Sequence, residues 1–168
     1  KIFISTKGGL EWEKNTVVHK ASKSQLRTQL YKSLERLKTD KIDLFTLHWP
    51  DPKVPVNESI SALKEFKSEK LISNWGISNF SEKQLLDTLK PNSNIHHQTP
   101  FNLIQNNTEL LATGKSKNRC INCIYSPLAQ GLLSSGLAHL GTEKLGKKDI
   151  RRRNPLFQSE NALALAKQ

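Results

Sequence analysis

The apolar residues of this chain alternate between short continuous runs and stretches in which leucine recurs at every third or fourth position. Continuous runs of about four to eight residues are typical of buried strands, whereas the wider spacing is typical of amphipathic helices. The pattern predicts strands over residues 1–7, 42–47, 71–77, 95–99 and 121–125. It predicts helices that begin near Ser24, Asn57, Ser81, Glu109 and Ser159.

Local signals support these boundaries. The first helix buries one leucine face, formed by Leu26, Leu30, Leu34 and Leu37. Asn57 is the predicted cap of the second helix, and Ser81 with Gln84 is the predicted capping box of the third. Pro50 and Pro52 follow the second strand directly, so the chain must enter a loop there.

Strands that alternate with helices predict a parallel sheet covered by helices. An open doubly wound sheet and a (β/α)8 barrel both satisfy this pattern. The doubly wound alternative lacks support because no G-x-G-x-x-G turn follows a strand. Polar residues instead follow several different strands, which favours a barrel, whose functional residues lie at the carboxyl ends of its strands. A complete barrel needs about 250 residues, so residues 1–168 are predicted to form a single incomplete barrel domain.

Composition adds a strongly basic balance, with a formal net charge of +11. Part of the excess lies in the segment "EKLGKKDIRRR" at residues 143–153. This segment has three interpretations: a solvated loop, a site for an anionic phosphate cofactor, and a nucleic-acid surface. No aromatic stacking pattern accompanies it, so a nucleic-acid partner is not favoured. No apolar run approaches the roughly 20 residues of a membrane span, and no membrane partner is predicted.

The two cysteines, Cys120 and Cys123, have the C-x-x-C spacing of a redox pair or of half a zinc site. They lie within a predicted strand, where an offset of three positions directs the two side chains to opposite faces. We therefore interpret them as ordinary strand residues in a reducing compartment, and we predict no metal site.

Unusual polar residues follow five predicted strands in succession. They are Lys7, His48, Ser78 with Asn79, Gln98, and Tyr125 with Ser126, in a segment that continues to Gly131. Each has an ordinary explanation when it is taken alone, such as a lysine that reaches water or a turn that precedes a helix. Their recurrence at equivalent positions predicts one shared site, in which amides and hydroxyls hold a carboxamide and Tyr125 stacks on a flat ring.

These segments together resemble the aldo-keto reductase family. The matching stretches are "IFISTKGG", "SLERLKTDKIDLFTLHWPDP", "WGISNF", "HHQTPFNL", "YSPLAQGLLSSG" and "RRRNPLFQSEN". They follow the order and spacing of the family across nearly the whole chain, and their combination is far more specific than any one of them. The resemblance implies a (β/α)8 barrel that reduces aldehydes and ketones with NADPH and without a metal ion.

The resemblance also implies roles for individual residues. Lys7 matches the catalytic lysine, which lowers the pKa of a proton-donating tyrosine, and His48 matches the histidine that orients the carbonyl. Trp49 is expected to line the substrate pocket. The expected cofactor-binding residues are Ser78, Asn79 and Gln98 at the carboxamide, Tyr125 against the nicotinamide ring, and Ser126, Leu128 and Gly131 along the pyrophosphate.

Two family residues have no counterpart in this sequence. The family's proton-donating tyrosine and its aspartate lie upstream of the lysine strand, and neither Tyr31 nor Tyr125 can replace that tyrosine. The chain is therefore expected to be an internal segment that covers strands three to seven of the barrel and is inactive alone. The parent protein is expected to be a cytoplasmic carbonyl reductase that acts on small molecules, as a monomer or weak oligomer. The alternative is a regulatory subunit of the same fold that binds NADP(H) with little turnover.

Overall fold

The computed structural model describes residues 2–89, 94–116, 120–134 and 145–167. Within these ranges the strands are β1 Ser5–Gly8, β2 Leu10–Glu13, β3 Thr16–His19, β4 Ile42–Leu47, β5 Ile72–Ser78, β6 Ile95–Pro100 and β7 Cys120–Tyr125. The α-helices are α1 Lys23–Leu37, α2 Val56–Ser68, α3 Glu82–Thr88, α4 Thr108–Ser116 and α5 Glu160–Ala166. Short 3-10 turns cover Ala129–Gly131, Ile150–Arg153 and Pro155–Phe157.

Five strands form one sheet in the order β1-β4-β5-β6-β7, and β1, β4, β5 and β6 pair in parallel. Helices α1, α2, α3 and α4 connect these strands along the chain. Because parallel neighbours bring their carboxyl ends to the same edge of the sheet, residues that follow successive strands lie near one another. The predicted α/β architecture with parallel strands is confirmed.

The structure departs from the sequence prediction at three places. Strand β1 begins at Ser5, and an antiparallel hairpin, β2–β3, forms in a stretch where no strand was predicted. The hairpin escaped prediction because it buries little apolar surface: Trp12 and Val17 are exposed. The predicted Asn57 cap is wrong, because helix α2 starts at Val56 with Pro55 at its N-cap position and has no side-chain cap. Ser81 and Gln84 do form the predicted capping box.

The two faces of the sheet have different chemistry. Phe45, Leu47, Trp75 and Ile77 alternate along β4 and β5 and pack into a core that also contains the inward faces of α1, α2 and α3. The intervening positions share the other face, where Lys7, Thr46, Gly76 and His96 are successive partners across four strands. The face of Phe45 and Ile77 therefore anchors the helices, and the opposite face carries Lys7, Thr46 and His96.

The chain comprises two compact units. The first contains Lys1–Thr99 and Thr108–Cys123, and the second contains Pro100–Asn107 and Ile124–Gln168. Each unit has its own apolar cluster, the second being formed by Ala129, Leu132, Leu145, Phe157 and Ala162. The single-domain organisation stays a prediction.

The two cysteines follow the sequence prediction. Both are free thiols, and Cys120 packs against the first core while Cys123 Sγ lies 4.0 Å from His96 Nδ1 on the opposite face. Burial raises the pKa of the Cys120 thiol to about 12. A thiol with so high a pKa is a poor nucleophile at neutral pH, so Cys120 behaves as a packing residue.

His97 is fully buried in the first unit, and this burial is expected to make the folding of that unit sensitive to acid. His97 shares a 3.3 Å hydrogen bond with Asn122 Oδ1 through Nδ1, and among the described residues its Nε2 has no partner. Burial lowers the pKa of His97 below the usual 6.5, although the bond to Asn122 opposes this shift. The native state therefore holds His97 neutral at pH values where the unfolded chain is already protonated.

We expect a His97→Leu variant to lose stability less steeply in acid than the parent chain. Between the lowered native pKa of His97 and pH 6.5, the native state binds fewer protons than the unfolded state. The contribution of His97 to the free energy of unfolding is therefore intact above pH 6.5 and declines below it. Urea unfolding at about pH 7.5 and about pH 5.5 measures this difference. Equal losses of stability in the parent chain and in His97→Leu would contradict the proposed role of His97 in acid sensitivity, since the remaining histidines are common to both.

Candidate active site

Lys7 and His48 lie side by side at the carboxyl ends of β1 and β4. The His48 backbone N–H donates to the Gly8 carbonyl at 2.8 Å, which continues the parallel ladder one residue beyond the strand. Lys7 is the partner of Thr46 in that ladder, two residues before His48 on the same face. The Lys7 side chain is exposed, whereas His48 is half-buried. The predicted juxtaposition of these two residues is present.

The surroundings of His48 favour the neutral form of its imidazole. Partial burial lowers the pKa of His48, and the positive charge of Lys7 lowers it further. Both effects penalise the imidazolium, because burial removes its hydration and the nearby ammonium repels it. A neutral imidazole retains one N–H donor, which suits it to hydrogen-bond the oxygen of an uncharged carbonyl compound.

Ser78, Asn79 and Gln98 continue the site across β5 and β6. Ser78 and Gln98 are partners in the parallel ladder, and the Asn79 N–H donates to the Gln98 carbonyl at 3.2 Å. Asn79 adopts the left-handed conformation, with φ of 61°. Its Nδ2 donates to the His48 carbonyl at 2.9 Å and to Ser78 Oγ at 3.1 Å. Asn79 therefore ties the ends of β4, β5 and β6 together.

This set of groups fits a carboxamide ligand such as nicotinamide. A carboxamide presents one acceptor oxygen and two N–H donors. The Ser78 hydroxyl and the Gln98 side-chain amide lie at adjacent strand ends, whereas Asn79 Nδ2 already donates to the His48 carbonyl and to Ser78 Oγ. Ser78 is nearly buried, at 2% exposure, so its hydroxyl is held in place. Five of the predicted site residues, Lys7, His48, Ser78, Asn79 and Gln98, thus lie together in the first unit.

The other four predicted residues, Tyr125, Ser126, Leu128 and Gly131, belong to the second unit. Tyr125 ends β7, and its carbonyl accepts from the Phe101 N–H at 3.3 Å. Burial raises the pKa of the Tyr125 hydroxyl. The segment that follows turns sharply, with positive φ at Ser126 and Gly131, and the Leu128 carbonyl accepts from the N–H groups of Gly131 and Leu133.

Sequence reasoning missed the residues that shape the loop after His48. Asp51 is nearly buried, and its carboxylate accepts from the N–H of Ala21 at 3.1 Å and of Lys53 at 2.9 Å. His19 Nδ1 donates to the Pro50 carbonyl at 2.8 Å, and its ring meets Trp49 edge-on at 6.3 Å. The tight Pro-Asp-Pro sequence is the signal that points to Asp51, because aspartate commonly bonds backbone N–H groups in turns.

The basic segment is partly neutralised within itself. Arg151 Nη2 donates to Asp149 Oδ2 at 2.7 Å, and its Nε lies within hydrogen-bond distance of both carboxylate oxygens. These contacts lower the pKa of Asp149 to about 2. Residues 143 and 144 of this segment, like His139, lie outside the described residues. Arg151 is therefore committed to a local contact and is a poor candidate for a nucleic-acid surface.

The described residues contain neither a metal-binding cluster nor a membrane-spanning helix. Within the part of the chain that the structure describes, no group of three or more His, Cys, Asp or Glu side chains is arranged to hold a metal ion. In the same part, none of the helices is long and apolar enough to cross a membrane.

Comparison with known proteins identifies the family. The family model described as "Aldo/keto reductase family" matches residues 1–166. The aldo-keto reductase YhdN of Bacillus subtilis (strain 168) is 33% identical over 160 residues, which are 94% of this chain and 47% of the relative. The NADH-specific methylglyoxal reductase of Escherichia coli (strain K12) is 29% identical over an alignment of 178 positions, which covers 97% of this chain and 53% of the relative. The chain belongs to the aldo/keto reductase family, a class of oxidoreductases.

Solved structures agree with this assignment. The glycerol dehydrogenase AKR11B4 from Gluconobacter oxydans matches with a TM-score of 0.78 and 30% identity, covering 98% of this chain and 52% of that protein. The holo form of the aldo-keto reductase AKR11C1 from Bacillus halodurans matches with a TM-score of 0.68 and 27% identity, covering 88% of this chain and 48% of that protein. The chain thus spans about half the length of the relatives it matches, consistent with part of a (β/α)8 barrel.

Proposed function

We propose that this chain is part of an NADPH-dependent reductase that converts small aldehydes and ketones to alcohols. The contact between the end of β1 and the end of β4 carries the proposal, because it brings the ammonium of Lys7 near the neutral imidazole of His48. A regulatory protein that only binds the cofactor has no need of a lysine and a histidine in this arrangement.

Each residue of the site has a role in this proposal. A bound nicotinamide would supply the hydride, and Ser78, Asn79 and Gln98 would hold its carboxamide. His48 would donate a hydrogen bond to the carbonyl oxygen and so orient the substrate. The charge of Lys7 would favour a phenolate beside it and thereby lower the pKa of a tyrosine acid. Holding the reactants in one geometry supplies a large part of the rate enhancement in such enzymes.

The choice of cofactor is the finer part of the proposal. NADPH is proposed because the family resemblance implies it, whereas one relative of this chain is named an NADH-specific reductase. Steady-state assays of the full-length protein with each dinucleotide and a broad aldehyde such as 4-nitrobenzaldehyde decide between them. We expect a higher kcat/KM with NADPH, and a preference for NADH would overturn this choice.

We propose further that residues 1–168 alone do not turn over substrate. Neither Tyr31, which is exposed on helix α1, nor Tyr125, which ends β7, is suited to act as the proton donor. The isolated chain is expected to show no aldehyde-dependent oxidation of NADPH, while the full-length protein does. Robust turnover by the isolated chain would contradict this, and a full-length protein that binds NADPH without turnover would favour the regulatory alternative.

The proposal also covers the cellular location, the partner and the assembly of the full-length protein. We propose a cytoplasmic location, which the two free thiols support, since reducing compartments keep thiols reduced. A small-molecule carbonyl compound is the proposed partner, with no nucleic acid and no membrane. The proposed assembly of the full-length protein is a monomer or weak oligomer, which its molar mass in solution tests.

A further inference from the structure

The loop of residues 126–131, "SPLAQG", has an unusual backbone. Ser126, Ala129 and Gln130 have φ values of 52°, 48° and 57°, and Gly131 follows with a φ of 96°. Residues other than glycine visit this left-handed region rarely and normally one at a time, because Cβ crowds the neighbouring carbonyl. Three consecutive left-handed residues, 129 to 131, therefore persist only if surrounding contacts hold them.

Contacts within the loop supply part of this restraint. The Ala129 N–H donates to the Ser126 carbonyl at 2.9 Å, and the Gly131 N–H donates to the Leu128 carbonyl at 2.9 Å. Ala129 and Leu132 are buried in the apolar cluster of the second unit. Gln130 lies between these anchors, and its left-handed conformation needs a further source of support.

Two side chains from a distant stretch of sequence meet Gln130. Arg151 Nη1 donates to the Gln130 backbone carbonyl at 3.3 Å, and Asn154 Nδ2 donates to Gln130 Oε1 at 2.8 Å. We call Arg151 and Asn154 the loop brace. The brace therefore engages both the backbone and the side chain of the residue that is strained.

Both members of the brace are themselves held in position. The guanidinium of Arg151 is oriented by its paired contacts with Asp149, which leave Nη1 directed at Gln130. The Oδ1 atom of Asn154 accepts from the Leu156 N–H at 3.0 Å, so the amide cannot rotate without losing this cap. A guanidinium held by a carboxylate is preorganised, which reduces the entropy lost when it binds a further acceptor.

The opposite end of the loop has a similar restraint. Asn102 is nearly buried, and its Nδ2 donates to the Ser126 carbonyl at 3.1 Å. Its Oδ1 accepts from the N–H groups of Ile104 and Gln105, at 3.0 Å and 2.8 Å. Carbonyl groups at both ends of the loop are thus bound by side chains that lie far away in sequence.

We propose that Arg151 and Asn154 are positioning residues that hold the SPLAQG loop in the shape required to receive the dinucleotide cofactor. This inference rests on the proposed function and on the family resemblance, which implies that Ser126, Leu128 and Gly131 lie along the cofactor's pyrophosphate. It also gives the basic segment a specific role: Arg151 acts through its geometry on Gln130, and its charge is already matched by Asp149. Loss of the brace relaxes the loop and weakens cofactor binding while leaving Lys7 and His48 unchanged.

Four variants of the full-length protein test the brace. Arg151→Ala removes the donor to Gln130, and Arg151→Lys keeps the charge but loses the planar fork that engages Asp149 and Gln130 together. Asn154→Ser keeps a capping oxygen for Leu156 but loses the amide donor. Arg153→Ala is the matched control, since it removes the same charge from an exposed neighbour in the same turn.

The first measurement is the Kd for NADPH by quenching of protein fluorescence. We expect the three brace variants to bind about tenfold more weakly, as is typical when one hydrogen bond is lost, and Arg153→Ala to bind as the parent does. Parent-like affinity in Arg151→Lys together with weak binding in Arg151→Ala would overturn the brace and assign Arg151 a charge role. Unchanged affinity in all variants would overturn it as well.

The second measurement needs no cofactor and separates this inference from the proposed function. Hydrogen exchange of the amides at residues 128–133 is expected to quicken in the brace variants and to stay unchanged in Arg153→Ala. Quickened exchange in a protein that binds neither NADPH nor NADH would refute the proposed function while the structural role of the brace stands. Unchanged exchange in every variant would refute the brace itself.

Discussion

Replacing Lys7 with methionine is expected to lower kcat/KM of the full-length protein for aldehyde reduction by about 10³-fold or more. In the proposed mechanism the ammonium of Lys7 tunes the proton donor, and acid catalysis of this kind contributes about 10² to 10⁴ in rate. Methionine preserves the length of the side chain and removes its charge. The assay follows aldehyde-dependent loss of NADPH absorbance.

Two controls make this result interpretable. Lys32→Met removes the same charge from the exposed surface of helix α1 and is expected to leave kcat/KM unchanged. The pKa of His48 is expected to rise in Lys7→Met, because the Lys7 charge is one of the two causes that lower it. An NMR titration of His48 detects this rise. Parent-like activity with a raised His48 pKa would show that the two residues are neighbours without a shared catalytic role.

Replacing Gly8 with alanine is expected to destabilise the chain by about 2 kcal/mol, in the range seen for overpacked cores. A Cβ at this position would lie 2.6 Å from Cζ of Phe45 and 3.0 Å from Oε1 of Gln29. Phe45 is fully buried against Phe66, so its ring has little freedom to withdraw. Gln29 accepts from the Gly9 N–H, so the same methyl group also disturbs the turn beside Lys7.

A second substitution tests whether the clash with Phe45 causes the loss of stability in Gly8→Ala. Phe45→Leu removes the ring that the new methyl group meets, so it is expected to cost less stability in the Gly8→Ala background than in the parent. The double mutant should therefore lose less stability than the sum of the two single losses in a double-mutant cycle. Gly146→Ala is the control, because a Cβ there meets nothing within 4 Å. Urea unfolding measures the four proteins of the cycle and the Gly146→Ala control. Additive effects of the two core substitutions would contradict the proposed clash.

Much of the fold was predictable from the local pattern of apolar, capping and turn residues in the sequence. Strand β4 was predicted with the bounds that the structure has, and the Ser81–Gln84 capping box was predicted residue by residue. These features depend on neighbours in sequence: an apolar run ended by Pro50, and a serine three residues before a glutamine. The hairpin β2–β3 was missed because its strands are mostly exposed and carry no apolar alternation that points to a core.

The candidate site followed from pattern only in part. The residue types at successive strand ends, from Lys7 to Gln98, pointed to one edge of a parallel sheet, and the register between β5 and β6 pairs Ser78 with Gln98. The backbone acceptors that Asn79, His19 and Arg151 engage were not predictable. They are carbonyl groups of the backbone, which every residue has, so the sequence carries no signal for which one is bound.

The sequence by itself determined the parallel α/β architecture, the family resemblance and the identity of the candidate site residues. It did so because strand and helix periodicity, caps and motif spacing are local properties of the chain. Only the tertiary structure decided that Lys7 helps to keep the His48 imidazole neutral, that Asp51 is a buried structural carboxylate, and that Arg151 braces Gln130. These depend on through-space distances and desolvation between segments far apart in sequence, and no local pattern encodes either quantity.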